Sequence, residues 1–322
     1  MSDPRVLRHV IEAITPASEA HAEGARLHVA SAGTPLLERI AMALAGAQHA
    51  PRPRTERRTI LVVAGDHGVG DPGIALGTAH PTVIAAHAIA DGTAAVTQVA
   101  RTARAPIVLV DAGVREPAAM PSTTIALGRG PTADLTREPA MSIVDAALGL
   151  EAGIALAISL SESGLDVLAV GALGVGAEVA SAALLGAATG LAPTGLGDEV
   201  AEAAGATGAA HAADGPLERL AAFGGPETAV LAGAMLAAAS MNIPIVLDGY
   251  ATGAAALVAA SLAPAVTGYF VAAHAGTFTH ARLLAHLGLV PVFEVGLGHG
   301  EGTGAAMALP LLDQVAALAI QR

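Results

Sequence analysis

Residues Thr59 to Gly70 read TILVVAGDHGVG, a run of aliphatic and β-branched residues that stops at a glycine-rich turn. A run this apolar has no polar face to offer water. It predicts a strand covered on both sides, and strands of that kind belong to parallel sheets. The turn falls at the strand's C-terminal end, where open α/β sheets present the residues that meet ligands. Asp66 and His67 are thus candidates to orient a substrate hydroxyl or to exchange a proton, although the same residue types also cap helices and close turns. The glycine spacing is not that of a dinucleotide-binding loop.

Moving outward, the pattern recurs in APIVLVDAGV (105–114), LDVLAVGALGVG (165–176), IPIVLDGYATG (243–253), GYFVAAH (268–274) and PVFEVGLG (291–298). Alanine-rich helical segments separate these runs, among them Pro81 to Arg104, AEVASAALLGAATG (177–190), AVLAGAMLAAASM (229–241) and THARLLAHLG (279–288). Such alternation predicts a mostly parallel sheet with helices on both faces. Upstream, Leu37, Ile40, Ala41 and Leu44 recur at helical spacing within Pro35 to Gln48, and HAPRPRTERR (49–58) reads as a basic linker. Three parts are expected: 1–50, the N-terminal helical part of a small domain; 51–295, the α/β core; and 296–322, a loop around Glu301 and a C-terminal helix that joins the small domain.

Composition narrows the classes. The 322 residues are 53% hydrophobic but only 2% aromatic, so the core is built from Ala, Val, Leu and Ile. Net charge is -12, every base is arginine, and after Arg137 only Arg219, Arg282 and Arg322 remain. A nucleic-acid partner needs a basic patch with several phosphate contacts, and this sequence offers none that is convincing. With no cysteine there is neither a disulfide nor a thiolate centre. The uncharged stretches 228–247 and 249–279 reach membrane-spanning length. They are rich in Ala, Gly, Ser and Thr and lack basic flanks and aromatic belts, so they read as buried core rather than membrane. The charged N-terminal stretch has no apolar signal run, which makes the cytoplasm the expected location.

Several loops could carry chemistry. GALGVGAEVA (171–180) brings glycines into a helix start, where Gly174 and Gly176 can expose backbone N–H groups to a phosphate. It lacks the lysine and hydroxyl of a P-loop, Glu178 would repel an anion in front of it, and close packing of the helix start is the alternative. GAATGLAPTGLGD (186–198) offers Thr189, Gly190, Thr194 and Gly195, and Asp248 ends a strand where it can bind ribose hydroxyls or cap the helix over 251–260. His274, His280, His286 and His299 do not have metal-site spacing and read as surface or hydrogen-bonded histidines. No serine-nucleophile elbow is present. Finally, GLGHGEGTGA (296–305) sets Glu301 among glycines.

Taken in order, VVAGDHGV, VLVDAGV, LTREPAMS, GALGVGAEVASAALLGAATG, PLERLAAFGGPETAVLAGAMLAAAS, IPIVLDGYATGAAALVAASLAPAV and LGHGEGTGAAMALPLL resemble the nicotinate-nucleotide:dimethylbenzimidazole phosphoribosyltransferase family. The likeness runs from about Pro35 to Leu318 and is densest from Pro216 to Leu312. It implies a Rossmann-like α/β domain with a smaller helical domain, a homodimer, and no metal or organic cofactor. The implied reaction moves phosphoribose from nicotinate mononucleotide to a benzimidazole-like base and releases nicotinate, in assembly of the cobalamin lower ligand.

By the same resemblance Glu301 is the base that takes the acceptor's proton, a task suited to a carboxylate. Gly174, Gly176, Thr189, Gly190, Thr194, Gly195 and Asp248 are the expected phosphate and ribose contacts; Asp66, His67, His80 and Leu173 are the expected acceptor contacts. The chain also departs from the family. Where the family has GEMGIGNTT this sequence has GALGVGAEV, so Ala172, Leu173, Ala177 and Glu178 replace polar or contacting groups, and Ala204 stands near an expected lysine. His80 replaces a tyrosine, and Gly298 and His299 precede the GEG motif in place of an arginine and a leucine. Arg129 and Arg137, supplied by a dimer partner, are candidates to replace the lost cation; alternatively the chain is an altered relative that binds a nucleoside, a base or a protein.

Overall fold

In the computed structural model the described residues are 4–30, 34–70, 73–190, 204–205, 207, 213–297 and 300–319. Strand β1 (Arg58–Gly65) lies at the centre of a parallel sheet, with β2 (Ile107–Gly113) on one side and β4 (Val167–Leu173) on the other. A short β3 (Ile125–Ala126) extends the first side, while β5 (Ile245–Leu247) and β6 (Phe270–Ala272) extend the second. The order 3-2-1-4-5-6 is that of doubly wound nucleotide-binding folds. It places the reversal of winding direction between β1 and β4.

Alternation along β1 shows why the strand is apolar from Ile60 to Ala64. Leu61 and Val63 point into one core with Val110, Leu168 and Val170; Ile60, Val62 and Ala64 point into the other with Leu109, Val167 and Ala169. The first core is closed by α1 (Pro4–Ala13), α6 (Ile143–Glu162), α7 (Ala177–Thr189), α8 (Pro216–Phe223), α9 (Pro226–Ser240), α10 (Tyr250–Leu262) and α11 (Phe278–His286). The second is closed by α2 (Glu19–Val29), α3 (Pro35–Ala47), α4 (Pro81–Ala90), α5 (Ala95–Thr102) and α12 (Thr303–Leu318), with α2 and α3 resting on α12.

The uncharged stretches that approach membrane length fold as helix and then strand, α9 with β5 and α10 with β6, both buried. One expected strand is corrected. PVFEVGLG makes only a single bridge among the described residues, Phe293 to His274, because the chain leaves the sheet edge at once for the Glu301 loop.

Candidate active site

Glu301 is held by three elements rather than by a flexible turn. The N–H of Ala172, at the end of β4, donates to the carbonyl of Gly300 at 3.0 Å. Gly302 donates to Asp248 Oδ2 at 2.8 Å and Ala305 to Asp248 Oδ1 at 2.9 Å, so the Asp248 carboxylate caps the start of α12. Gly302 adopts φ +95°, which favours glycine, and turns the loop into that helix. A second glycine is needed for space. A Cβ on Gly171 would lie 2.6 Å from the Glu301 carbonyl carbon and from the Gly302 nitrogen.

The partly buried Glu301 opens on a cavity of about 210 Å³ at the C-terminal edge of β4 and β5. The N-terminal ends of four helices form its wall: Gly174, Ala177 and Glu178 at α7; Gly249 to Ala251 at α10; Gly276, Thr277 and His280 at α11; Gly300 and Glu301 at α12. Leu173 and His274 complete much of the rest. Among the described residues neither arginine nor lysine lines it. Positive potential therefore comes from backbone N–H groups and helix dipoles, an arrangement suited to an anion.

The expected site residues separate in this frame. Leu173, Gly174 and Glu301 line the cavity. Gly176, with φ 81°, is the N-cap of α7 beside them. Asp248 is fully buried beneath the Glu301 loop, and the helix it caps is α12, not the one over 251–260. Thr189 and Gly190 are not brought to the cavity by α7: they end that helix about 20 Å along its axis from Gly176. Thr189 Oγ1 donates to the Leu185 carbonyl there. Thr194, Gly195 and His299 lie outside the described residues.

Asp66, His67 and His80 are buried together at the end of β1, behind the cavity wall. Asp66 accepts from Thr82 Oγ1 at 2.5 Å, from the Val175 N–H at 2.9 Å and from the Arg115 N–H at 2.8 Å; His80 Nδ1 lies 3.9 Å away. This carboxylate ties the loops after β1, β2 and β4 into one platform. His67 Nε2 meets Glu227 Oε1 at 3.0 Å, both side chains buried, and Thr228 Oγ1 donates to the same oxygen at 2.7 Å. Burial alone depresses the His67 pKa, yet the Glu227 charge and hydrogen bond and the Asp66 charge raise it overall. For Glu227 burial pushes upward, and the His67 charge and hydrogen bond bring the net shift below its ordinary value.

Two of the histidines read as surface or hydrogen-bonded are buried and line the cavity, and His280 is also hydrogen-bonded, to the Gly276 N–H. His274 and His280 are each 1% exposed and stand edge to face, with ring centroids 5.6 Å apart. The legible signal for His274 was its position at the end of GYFVAAH, just past β6, the same strand-end rule that marks Asp66, Leu173 and Asp248. Burial, with help from His274, lowers the His280 pKa to about 4 against a weaker upward pull from Asp248. No group of three or more potential metal ligands occurs among the described residues.

Comparison with known proteins agrees with this geometry. A sequence model of the phosphoribosyltransferase family matches residues 12–321. The nicotinate-nucleotide:dimethylbenzimidazole phosphoribosyltransferase of Roseiflexus sp. is 38% identical over 297 residues, covering 85% of this chain and 82% of its own. Its Deinococcus radiodurans counterpart is 39% identical over 307 residues, covering 87% and 82%. A crystal structure of the Thermus thermophilus enzyme of that name superposes with a TM-score of 0.84 at 31% identity, over 95% of this chain and 97% of that one. Built on a Rossmann-like parallel sheet and carrying Glu301 at a cavity walled by helix N-termini, the chain belongs to the nicotinate-nucleotide:dimethylbenzimidazole phosphoribosyltransferase family and is an enzyme of phosphoribosyl transfer.

Proposed function

We propose that the enzyme transfers phosphoribose from nicotinate mononucleotide to 5,6-dimethylbenzimidazole or a similar base, releasing nicotinate, in cobalamin lower-ligand assembly. The observation that carries this reading is that Glu301 shares one cavity with four helix N-termini. One nitrogen of the acceptor attacks the anomeric carbon with its lone pair. The bond from that carbon to the nicotinate nitrogen breaks, and its electrons neutralise the pyridinium. Glu301 takes the proton from the acceptor's other nitrogen, so charge does not build up on the azole.

The phosphate is carried mainly by backbone donors in this reading. Arg129 is engaged by Asp145 at 2.8 Å and Arg137 by Asp134 at 3.2 Å, each within its own chain. Family resemblance supports a homodimer, which sedimentation equilibrium tests directly. The decisive assay mixes nicotinate mononucleotide with dimethylbenzimidazole and follows nicotinate release. Glu301→Gln lowers the rate by about 10²–10⁴-fold, the usual worth of a positioned general base. Equal rates in the two proteins would remove Glu301 from the role.

A further inference from the structure

His280 lies in the first turn of α11, where Thr277 Oγ1 accepts its backbone N–H at 3.1 Å. Its ring Nδ1 accepts the backbone N–H of Gly276 at 3.3 Å. A backbone amide can only donate, so Nδ1 carries no proton and the neutral ring holds its hydrogen on Nε2. That Nε2 is buried in a residue lining the cavity and has no hydrogen-bond partner among the described residues. The ring nitrogens of His274 are likewise without a hydrogen bond there; its Nε2 stands 3.5 Å from Asp248 Oδ1. A buried donor left without an acceptor is costly, and the cost is offset when a ligand supplies the missing oxygen.

The surroundings select the kind of oxygen. Helix N-termini favour negative charge, and the described cavity wall has no arginine or lysine. We propose that His280, through Nε2–H and with the His274 ring packed behind it, is the side-chain donor that receives an oxyanion of the phosphoribosyl donor in this cavity. It stands in for the ammonium or guanidinium that this wall lacks. This rests on the phosphoribosyl-transfer reading above. Two oxyanions of the donor share the required chemistry, the 5′-phosphate and the carboxylate of the leaving base, and the phosphate is the expected one because it carries more charge.

Titration calorimetry on the full chain, with ribose 5-phosphate and nicotinate as separate probes, tests the assignment. His280→Leu weakens ribose 5-phosphate by about tenfold to a hundredfold while nicotinate stays within about twofold; His280→Gln, which keeps an N–H near Nε2, restores most of the loss. A loss confined to nicotinate supports the same donor role with the carboxylate as its acceptor. Unchanged affinity for both probes in folded His280→Leu overturns the proposal and leaves the transfer reading intact. Should the wild type fail to bind nicotinate mononucleotide at millimolar concentration, the transfer reading falls and this inference with it. If His280→Leu does not fold, histidine ¹⁵N spectra of the wild type decide: the Nε2–H resonance of His280 shifts on adding ribose 5-phosphate, and a resonance that stays put overturns the assignment.

Discussion

Glu178 sets a carboxylate at the exposed rim of the cavity proposed to receive the phosphate. Its charge opposes the helix dipoles, but water screens it, so the penalty is that of a surface pair, about 0.2–1 kcal/mol. Glu178→Gln therefore lowers the KM for nicotinate mononucleotide by roughly two- to fivefold with kcat little changed, and the difference shrinks at high salt. Steady-state kinetics at low and high ionic strength check both parts. His280 makes a different statement, about stability. Its folded pKa, lowered chiefly by burial to about 4, sits below its ordinary 6.5, so the unfolded chain takes up a proton first on acidification. Stability from this group is complete above pH 6.5 and is lost as pH falls toward 4. His280→Gln flattens that acid limb by up to about 3 kcal/mol, which urea midpoints measured across this range would reveal.

At the level of elements, β4, β5 and α12 meet at the Glu301 loop, and the meeting is close enough to have a measurable tolerance. A methyl at Gly171 would meet three backbone atoms of that loop, none of which can rotate away. Gly171→Ala thus shifts Glu301 without altering it, and a displacement near 1 Å lowers kcat by about 100-fold while leaving donor binding at the other helix N-termini largely in place. A matched loss in KM and kcat would point instead to collapse of the cavity. These contacts also explain what the sequence could and could not disclose. The strand ends were legible because burial on both faces imposes continuous apolar runs, and with them came Asp66; Leu173 and Glu301 were legible through the family resemblance of their glycine-rich stretches. Asp248 was readable as a capping residue, but its partners Gly302 and Ala305 lie 54 and 57 residues further on, and no local spacing announces them. Thr189 and Gly190 sit in a glycine- and threonine-rich stretch that resembles a phosphate loop in composition. Only the direction and length of α7 show that they close its far end.

Across the whole molecule, the candidate cavity opens at the ends of β4 and β5, and the His67–Glu227 pair braces the neighbouring reversal of winding from its β1 side. The pair joins the end of β1 to the first turn of α9, whose dipole favours a carboxylate at that place. Both partners are buried, so removing one strands a charge: Glu227→Ala destabilises the fold by about 3–5 kcal/mol. Its pH dependence follows from the two shifts. His67 is raised above 6.5, so its contribution is complete below that pH and is lost as pH rises through the folded value. Glu227 is lowered below 4.5, so its contribution is complete above that pH and is lost as pH falls through the folded value. Both contributions are therefore whole between pH 4.5 and 6.5. Glu227→Gln keeps the shape and removes the charge, so its melting temperature falls furthest below the wild type's inside that window, and the gap narrows as the solution becomes more alkaline. Thermal melts of the two proteins in matched buffers measure the gap, and one that stayed constant from the window into alkaline solution would mean that His67 and Glu227 are a neutral hydrogen-bonded pair rather than an ionised clamp.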